Sequence, residues 1–208
     1  MSIEVTSTAL RNGHPIPQKY TADGQNLSPP LSWGEPPAGT RSLALIVDDP
    51  DAPDPAAPRR TWVHWVVHDI PASATELPED AGARGLPSGA RVGKNDWSKA
   101  RYGGPCPPIG RHRYFFKLYA LDQMLSDQHD PKKAALEKAM QGHVLAQAEL
   151  VGSYQTHTRA DLRPLRAAGY EGSFRPPESG VPDYLAHLDG EAVRAPERAP
   201  SRSAAPGP

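Results

Sequence analysis

Residues 43–47 read Leu-Ala-Leu-Ile-Val, so a strand at this point would be apolar on both of its alternating faces. A strand of that kind is typical of the centre of a sheet that is covered on both sides. The run therefore favours a β-sandwich over a single sheet with one face in solvent.

Further apolar runs on either side predict a mainly β, antiparallel chain. Twenty-five prolines fall mostly between these runs, where they punctuate loops. The predicted strands are Ile3–Thr8, Ser42–Val47, Thr61–Ile70 and Arg113–Leu121.

One or two short helices are predicted near the end of the domain. Asp130-Pro131 is a typical helix start, with a carboxylate at the N-cap and proline at the first helical position, and Gly142 would end that helix. The segment 143–154 is ambiguous, because it alternates like a strand but has a helix-forming composition. We expect a second short helix there, followed by a strand that ends near Gln155.

The length of 208 residues fits one domain, residues 1–157, followed by a Pro/Arg-rich tail, residues 158–208, that we expect to be disordered. A net charge of -1 disfavours nucleic acid and anionic membranes as partners. The single cysteine, Cys106, excludes intramolecular disulfides and fits a reducing compartment. With neither a signal peptide nor a long apolar span, we expect a cytoplasmic protein with no integral membrane segment.

Three polar stretches lie at or inside the predicted strands, and we expect the fold to gather them around a ligand. They are Asp-Asp-Pro-Asp-Ala-Pro at 48–53, Trp-Val-His-Trp at 62–65 and Gly-Arg-His-Arg-Tyr at 110–114. Asp49 and Asp51 would favour the charged imidazolium of His64 and His112, which is a good donor to phosphate or carboxylate oxygens. Two structural alternatives stay open: the acids could only form the turn, and His64 could be a hydrogen-bonded core histidine.

A metal site and a nucleophilic enzyme are both disfavoured. On a regular strand Trp62, His64, Val66, His68 and Ile70 share one face, which places the two histidines about 13 Å apart, too far for one metal ion. His68 is expected at the surface. The chain has no catalytic motif of a nucleophilic enzyme, so we predict no catalytic residue, no metal and no cofactor.

These stretches, in this order, resemble the phosphatidylethanolamine-binding protein (PEBP) family, and specifically its bacterial Raf-kinase-inhibitor-like branch. The resemblance covers roughly residues 3–157. Besides the three polar stretches it rests on residues 12–21, 23–31, 95–97, 102–108 and 142–150.

The resemblance implies a two-sheet antiparallel β-sandwich and an anion pocket. Carried over residue by residue, the pocket would use Asp49, Asp51, His64, Pro108, Gly110, His112 and Tyr114. The loop between Pro108 and His112 is shorter than in the animal branch of the family, which affects the placement of Pro108. The resemblance also implies a homodimer and a protein partner such as a kinase or a protease.

The leading hypothesis is therefore non-enzymatic binding of small anions or phosphorylated head groups, such as phosphoethanolamine, with regulation of a protein partner as its output. One alternative is a hydrolase or lyase that uses a His/Asp acid–base pair. Another is a protein-interaction scaffold whose loops or tail recognise the partner.

Overall fold

A computed structural model describes residues 3–156 of the chain. The predicted boundary after residue 157 and the predicted tail, residues 158–208, lie outside the described residues. Within the described residues, no helix is long and apolar enough to cross a membrane.

The described residues form two β-sheets, as predicted. The strands are β1 (Val5–Thr6), β2 (His14–Pro15), β3 (Leu31–Trp33), β4 (Ser42–Asp49), β5 (Trp62–Pro71), β6 (Glu76–Leu77), β7 (Arg91–Val92), β8 (His112–Leu121) and β9 (Val144–Tyr154). A small sheet has the order β1-β3-β6, and a six-stranded sheet has the order β2-β9-β8-β4-β5-β7. All pairs are antiparallel except β2 with β9.

The main core lies between the two sheets. It joins Val5, Leu31 and Leu77 of the small sheet to Leu45 and Phe116 of the large one. The apolar run at 43–47 is buried on both faces, as its sequence predicts, because a second cluster containing Ala44 and Ile46 covers the outer face. The confirmed architecture is thus a β-sandwich with an additional outer layer.

The outer layer is helix α2 (Lys133–Met140), which follows the four-residue helix α1 (Ala81–Arg84) in the chain. Leu136 and Met140 pack in the outer cluster. The buried Asp48 carboxylate lies 2.9 Å from Lys117 Nζ of β8 and 2.5 Å from Lys133 Nζ of α2. This outer charge cluster, Asp48–Lys117–Lys133, ties the helix to the sheet.

Two helix predictions are corrected. Helix α2 begins at Lys133, after an extended Lys132, and Asp130 has a φ of 46° and does not cap it. The predicted second helix within 143–154 is wrong, because Val144–Tyr154 is one continuous strand paired along β8. Pairing with a ten-residue neighbour outweighs the helix-forming composition of this segment.

Strand β5 is not regular, and its predicted common face is wrong. At two places β5 has one residue more than the part of β4 that it pairs with, which makes each a bulge. The first contains His64, and the second contains His68 and Asp69, whose φ is 53°. As a result Val63 and Val66, three residues apart, both join the outer cluster, and Val67 and Ile70 both join the inner core.

His68 is buried rather than at the surface, with no exposed area. Its Nδ1 lies 3.2 Å from Asp69 Oδ2, and Asp69 Oδ1 accepts a hydrogen bond from the Leu125 amide. Burial lowers the pKa of His68 despite the neighbouring carboxylate. The second bulge is thus fixed by a buried neutral histidine and an acid that anchors the chain after β8.

Candidate functional site

The candidate site lies where β4 ends and β8 begins. Asp49 is the last residue of β4, and its Oδ1 accepts a hydrogen bond of 2.8 Å from the Asp51 amide. An Asp side chain that bonds the backbone two residues on stabilises a tight turn. Asp49 therefore does stabilise the turn, as the sequence suggested. Its other carboxylate oxygen makes a second contact.

That second contact is a buried pair between Asp49 and His112. Asp49 Oδ2 lies 2.7 Å from His112 Nδ1, and neither side chain is exposed. Burial alone would lower the pKa of His112, but the hydrogen bond and the charge of Asp49 outweigh it and raise the pKa. His112 Nε2 lies 2.9 Å from the Ile109 carbonyl, which can only accept. Both ring nitrogens therefore donate, and His112 is the imidazolium in this pair.

Asp51 is held by Arg113. Its carboxylate accepts hydrogen bonds from the Arg113 backbone amide at 2.9 Å, from Nε at 2.9 Å and from Nη2 at 2.7 Å. The hydrogen bonds from Arg113 hold the pKa of Asp51 below its ordinary value. Arg113 was not predicted as a site residue, although it stands between His112 and Tyr114 in the polar stretch that marked them.

His64 and Tyr114 meet beside this pair. Their ring centroids are 5.1 Å apart in an edge-to-face contact, and Trp97 touches His64 in the same way at 5.2 Å. His64 Nδ1 lies 2.7 Å from the Gly103 carbonyl and must therefore carry the proton that donates to it. The first bulge of β5 places the imidazole here.

His64 differs from His112 in its charge. Burial lowers the pKa of His64, although the charge of Asp49 and the hydrogen bond to Gly103 oppose the shift. The charge of Asp49 does favour the imidazolium form of His64, as expected, but burial outweighs it. Asp49 also has a buried cation, His112, as its direct partner.

Pro108 and Gly110 lie in an exposed loop on either side of Ile109. Gly110 has a φ of 72°, and a Cβ there would come within 2.8 Å of Pro55. The loop reaches the site through the Ile109 carbonyl that binds His112. Asp49, Asp51 and His112 are therefore linked by hydrogen bonds, and His64 and Tyr114 contact each other. Pro108 and Gly110 flank Ile109, whose carbonyl accepts a hydrogen bond from His112.

Trp97 and Arg60 lie next to Trp62 and His64 and were missed as part of the site. Trp97 contacts Trp62 edge to face at 5.2 Å, and the Arg60 guanidinium lies over Trp62 at 4.6 Å. Asp96 fixes these residues by accepting hydrogen bonds from the Val63 amide and from Arg60. The segment 95–97 carried part of the family resemblance, which was the available signal.

Comparison with known proteins gives the family of this site. The family model described as phosphatidylethanolamine-binding protein matches residues 6–155. The chain belongs to the PEBP family. The match extends over both sheets and includes every predicted site residue.

Individual relatives agree with this membership. A UPF0098 protein of Methanothermobacter thermautotrophicus is 50% identical over 141 residues, which cover 67% of this chain and 90% of that protein. A UPF0098 protein of Aquifex aeolicus is 44% identical over 74% of this chain and 88% of its own length.

Solved PEBP structures agree with the architecture. The crystal structure of a PEBP homologue from Chlamydia trachomatis is 40% identical, with a TM-score of 0.69, and covers 75% of this chain and 99% of its own. YbcL of Escherichia coli, described as a member of the mammalian PEBP family, is 34% identical with a TM-score of 0.68, over 76% of this chain and 100% of its own. The chain is thus a PEBP-type protein in both sequence and fold.

Proposed function

We propose that this PEBP-family protein binds small anions or phosphorylated head groups, phosphoethanolamine among them, around Asp49, His64, His112 and Tyr114. One observation carries the proposal: the rings of His64 and Tyr114 meet at 5.1 Å beside a buried Asp49–His112 pair. A phenol hydroxyl can donate to an oxyanion oxygen, and an accepting ring nitrogen can bind the P–OH of a protonated phosphate group.

The acids of the site do not oppose an anion, because each has its own cation. Asp49 is paired with the His112 imidazolium, and Asp51 is paired with the Arg113 guanidinium. The four groups therefore sum to a charge of zero. An anion would meet two compensated pairs instead of two bare carboxylates.

The protonation of His64 favours a phosphomonoester within this class. Since Nδ1 donates to the Gly103 carbonyl, Nε2 of the neutral ring is an acceptor. A phosphomonoester, whose second pKa is about 6, can offer a P–OH to Nε2 or transfer its proton there. Sulfate, fully deprotonated at neutral pH, can do neither, so we expect phosphomonoesters to bind more tightly than sulfate.

Calorimetric titration of the full chain with phosphoethanolamine and with sulfate tests this proposal. We expect His64→Ala to weaken phosphoethanolamine binding about tenfold or more. His143→Ala is the matched control, because His143 is half-exposed and bonds Asp122 at the opposite end of β8. Equal affinity in the wild type and in His64→Ala would contradict the proposal, as would a preference for sulfate.

Two observations favour binding over the acid–base alternative. The Asp49–His112 pair is not arranged as a general base, because a base needs a nitrogen that can accept a proton and both nitrogens of His112 donate to protein acceptors. Burial also raises the pKa of the Cys106 thiol to about 11, which leaves little thiolate at neutral pH. Assays with generic phosphoesters and esters should show no turnover that His64→Ala abolishes.

Regulation of a protein partner, a homodimer and a cytoplasmic location stay predictions. Carboxypeptidase Y inhibitor, solved with its cognate proteinase, is 18% identical with a TM-score of 0.50, a likeness of fold alone. Sedimentation equilibrium measures the oligomeric state. Pull-down with the wild type and with a variant lacking residues 158–208 separates a tail-driven scaffold from pocket-driven association.

A further inference from the structure

A second cavity, of about 740 Å³, lies between the loop at residues 25–28, helix α1 and the loop that ends at Tyr102. Small-molecule sites typically have volumes of about 300–1,000 Å³. None of the seven predicted anion-site residues lines this cavity. It is therefore a separate candidate site.

Part of the wall is apolar and firmly held. Trp65 and Tyr102 line it, with their rings edge to face at a centroid distance of 5.6 Å. The Tyr102 hydroxyl is fixed by a 2.8 Å hydrogen bond to the Tyr20 carbonyl. Leu86 and Val92 add aliphatic surface. Such a wall suits the apolar body of a ligand.

The same cavity carries one charge of each sign, and neither side chain forms a hydrogen bond or salt bridge within residues 3–156. Asp80 is half-buried and stands at the N-cap of α1, but its side chain does not cap the helix. Arg101 is exposed, and within residues 3–156 only its backbone carbonyl takes part in a hydrogen bond. A half-buried carboxylate without a partner gains most from an incoming cation, and the guanidinium offers a fork for an acidic group.

We propose that this cavity binds a zwitterionic amphipathic small molecule. Its ammonium group meets Asp80, its acidic group meets Arg101, and its apolar body packs on Trp65, Leu86 and Val92. A short apolar peptide with free termini has this chemistry. A ligand with only one of the two charges leaves the other protein charge unpaired and binds more weakly.

Three forms of the dipeptide leucyl-phenylalanine test this: with free termini, N-acetylated, and C-amidated. Binding is followed in the full chain by NMR, through the indole N–H of Trp65 assigned with Trp65→Phe. We expect the free dipeptide to shift this resonance. The acetylated form should bind about tenfold more weakly, and the amidated form about threefold, because Arg101 is more exposed than Asp80.

Matched variants assign each charge. Asp80→Asn keeps a residue that tolerates the left-handed φ of 54°, and it should remove the preference for the free over the acetylated dipeptide. Arg101→Gln should remove the preference over the amidated form, whereas Lys99→Gln, exposed and outside the cavity, should change neither.

Equal binding of all three dipeptides, or none, would overturn the proposal, as would preferences that survive in Asp80→Asn and Arg101→Gln. His64→Ala separates the two sites. It should weaken phosphoethanolamine binding at the anion site about tenfold or more and leave dipeptide binding intact, so one proposal can fail without the other.

Discussion

Asp48 and Asp49 are consecutive residues of β4, equally buried, yet they lie on opposite faces of the sheet with different cations. Asp49 faces the inner core and pairs with His112, which has no exposed area. Asp48 faces α2 and pairs with Lys117 and Lys133, whose side chains keep 27% and 20% exposure. The inner charge depends on a group that titrates near neutral pH, and the outer one does not.

The largest expected effect comes from removing the inner carboxylate. Asp49→Asn leaves His112 buried without its counter-charge, and removal of one partner of a buried pair costs about 3–5 kcal/mol. Urea unfolding of the full chain measures this loss in the free energy of unfolding. A loss below about 1 kcal/mol would show that the Asp49–His112 pair contributes little.

Asp48→Asn should cost less, about 1–3 kcal/mol, although the substitution is the same. Lys117 and Lys133 are partly exposed, so each ammonium can recover hydration when the carboxylate charge is lost. The same urea titration compares the two variants directly. If Asp48→Asn lowered the free energy of unfolding more than Asp49→Asn does, the exposure of the cationic partner would not determine the cost of removing the carboxylate.

The two pairs should also differ in their pH dependence. Asp49 raises the pKa of His112, so the folded state binds a proton more tightly than the unfolded chain does. This stability is fully present below the unfolded pKa of about 6.5 and is lost as pH rises through the raised pKa of the folded state. The stability difference between wild type and Asp49→Asn should therefore shrink as pH rises through this window.

Asp48→Asn supplies the control for that titration. The ordinary pKa of lysine is about 10.4, and Asp48 contributes to raising the pKa of Lys133. The difference between wild type and Asp48→Asn should change less across the same window. His64 and His68, whose pKa values are lowered, destabilise the fold as pH falls. The charge of Asp49 raises the pKa of His64 more than that of Asp48 does, so His64 adds to the pH dependence of the Asp49→Asn difference more than to that of Asp48→Asn.

The long strands at the centre of the large sheet and the polar residues at their ends could be predicted because their signals are local. Strands β4, β5 and β8 begin and end within two residues of the predicted bounds, since apolar runs bounded by Pro and Asp mark them. The polar ends of these strands, and the resemblance they carry, point to Asp49, His64 and His112. Their convergence then follows from antiparallel pairing.

The remaining features depend on partners distant in the chain. The first bulge in β5 arises from pairing with β4, and its sequence, Val-His-Trp, carries no bulge signal. The lysines that hold Asp48 are 69 and 85 residues away, so sequence spacing could not link them. The protonation of His64 depends on the Gly103 carbonyl, a backbone group that no side-chain pattern reveals.

Asp51 is paired with a cation that is exposed to solvent, Arg113. We expect a change in this pair to lower the free energy of unfolding least of the three. The Arg113 side chain is 59% exposed, although it binds Asp51 through two of its nitrogens. Arg113→Lys keeps the positive charge but cannot form the two parallel hydrogen bonds to the carboxylate. An exposed pair of this kind contributes about 0.2–1 kcal/mol, so we expect a loss of stability no larger than that. Arg111→Lys, on an exposed residue just before β8, is the control and should be neutral within error. A loss in Arg113→Lys as large as that in Asp49→Asn would mean that the shape of the turn, and not the burial of the cation, sets the stability of this end of the sheet.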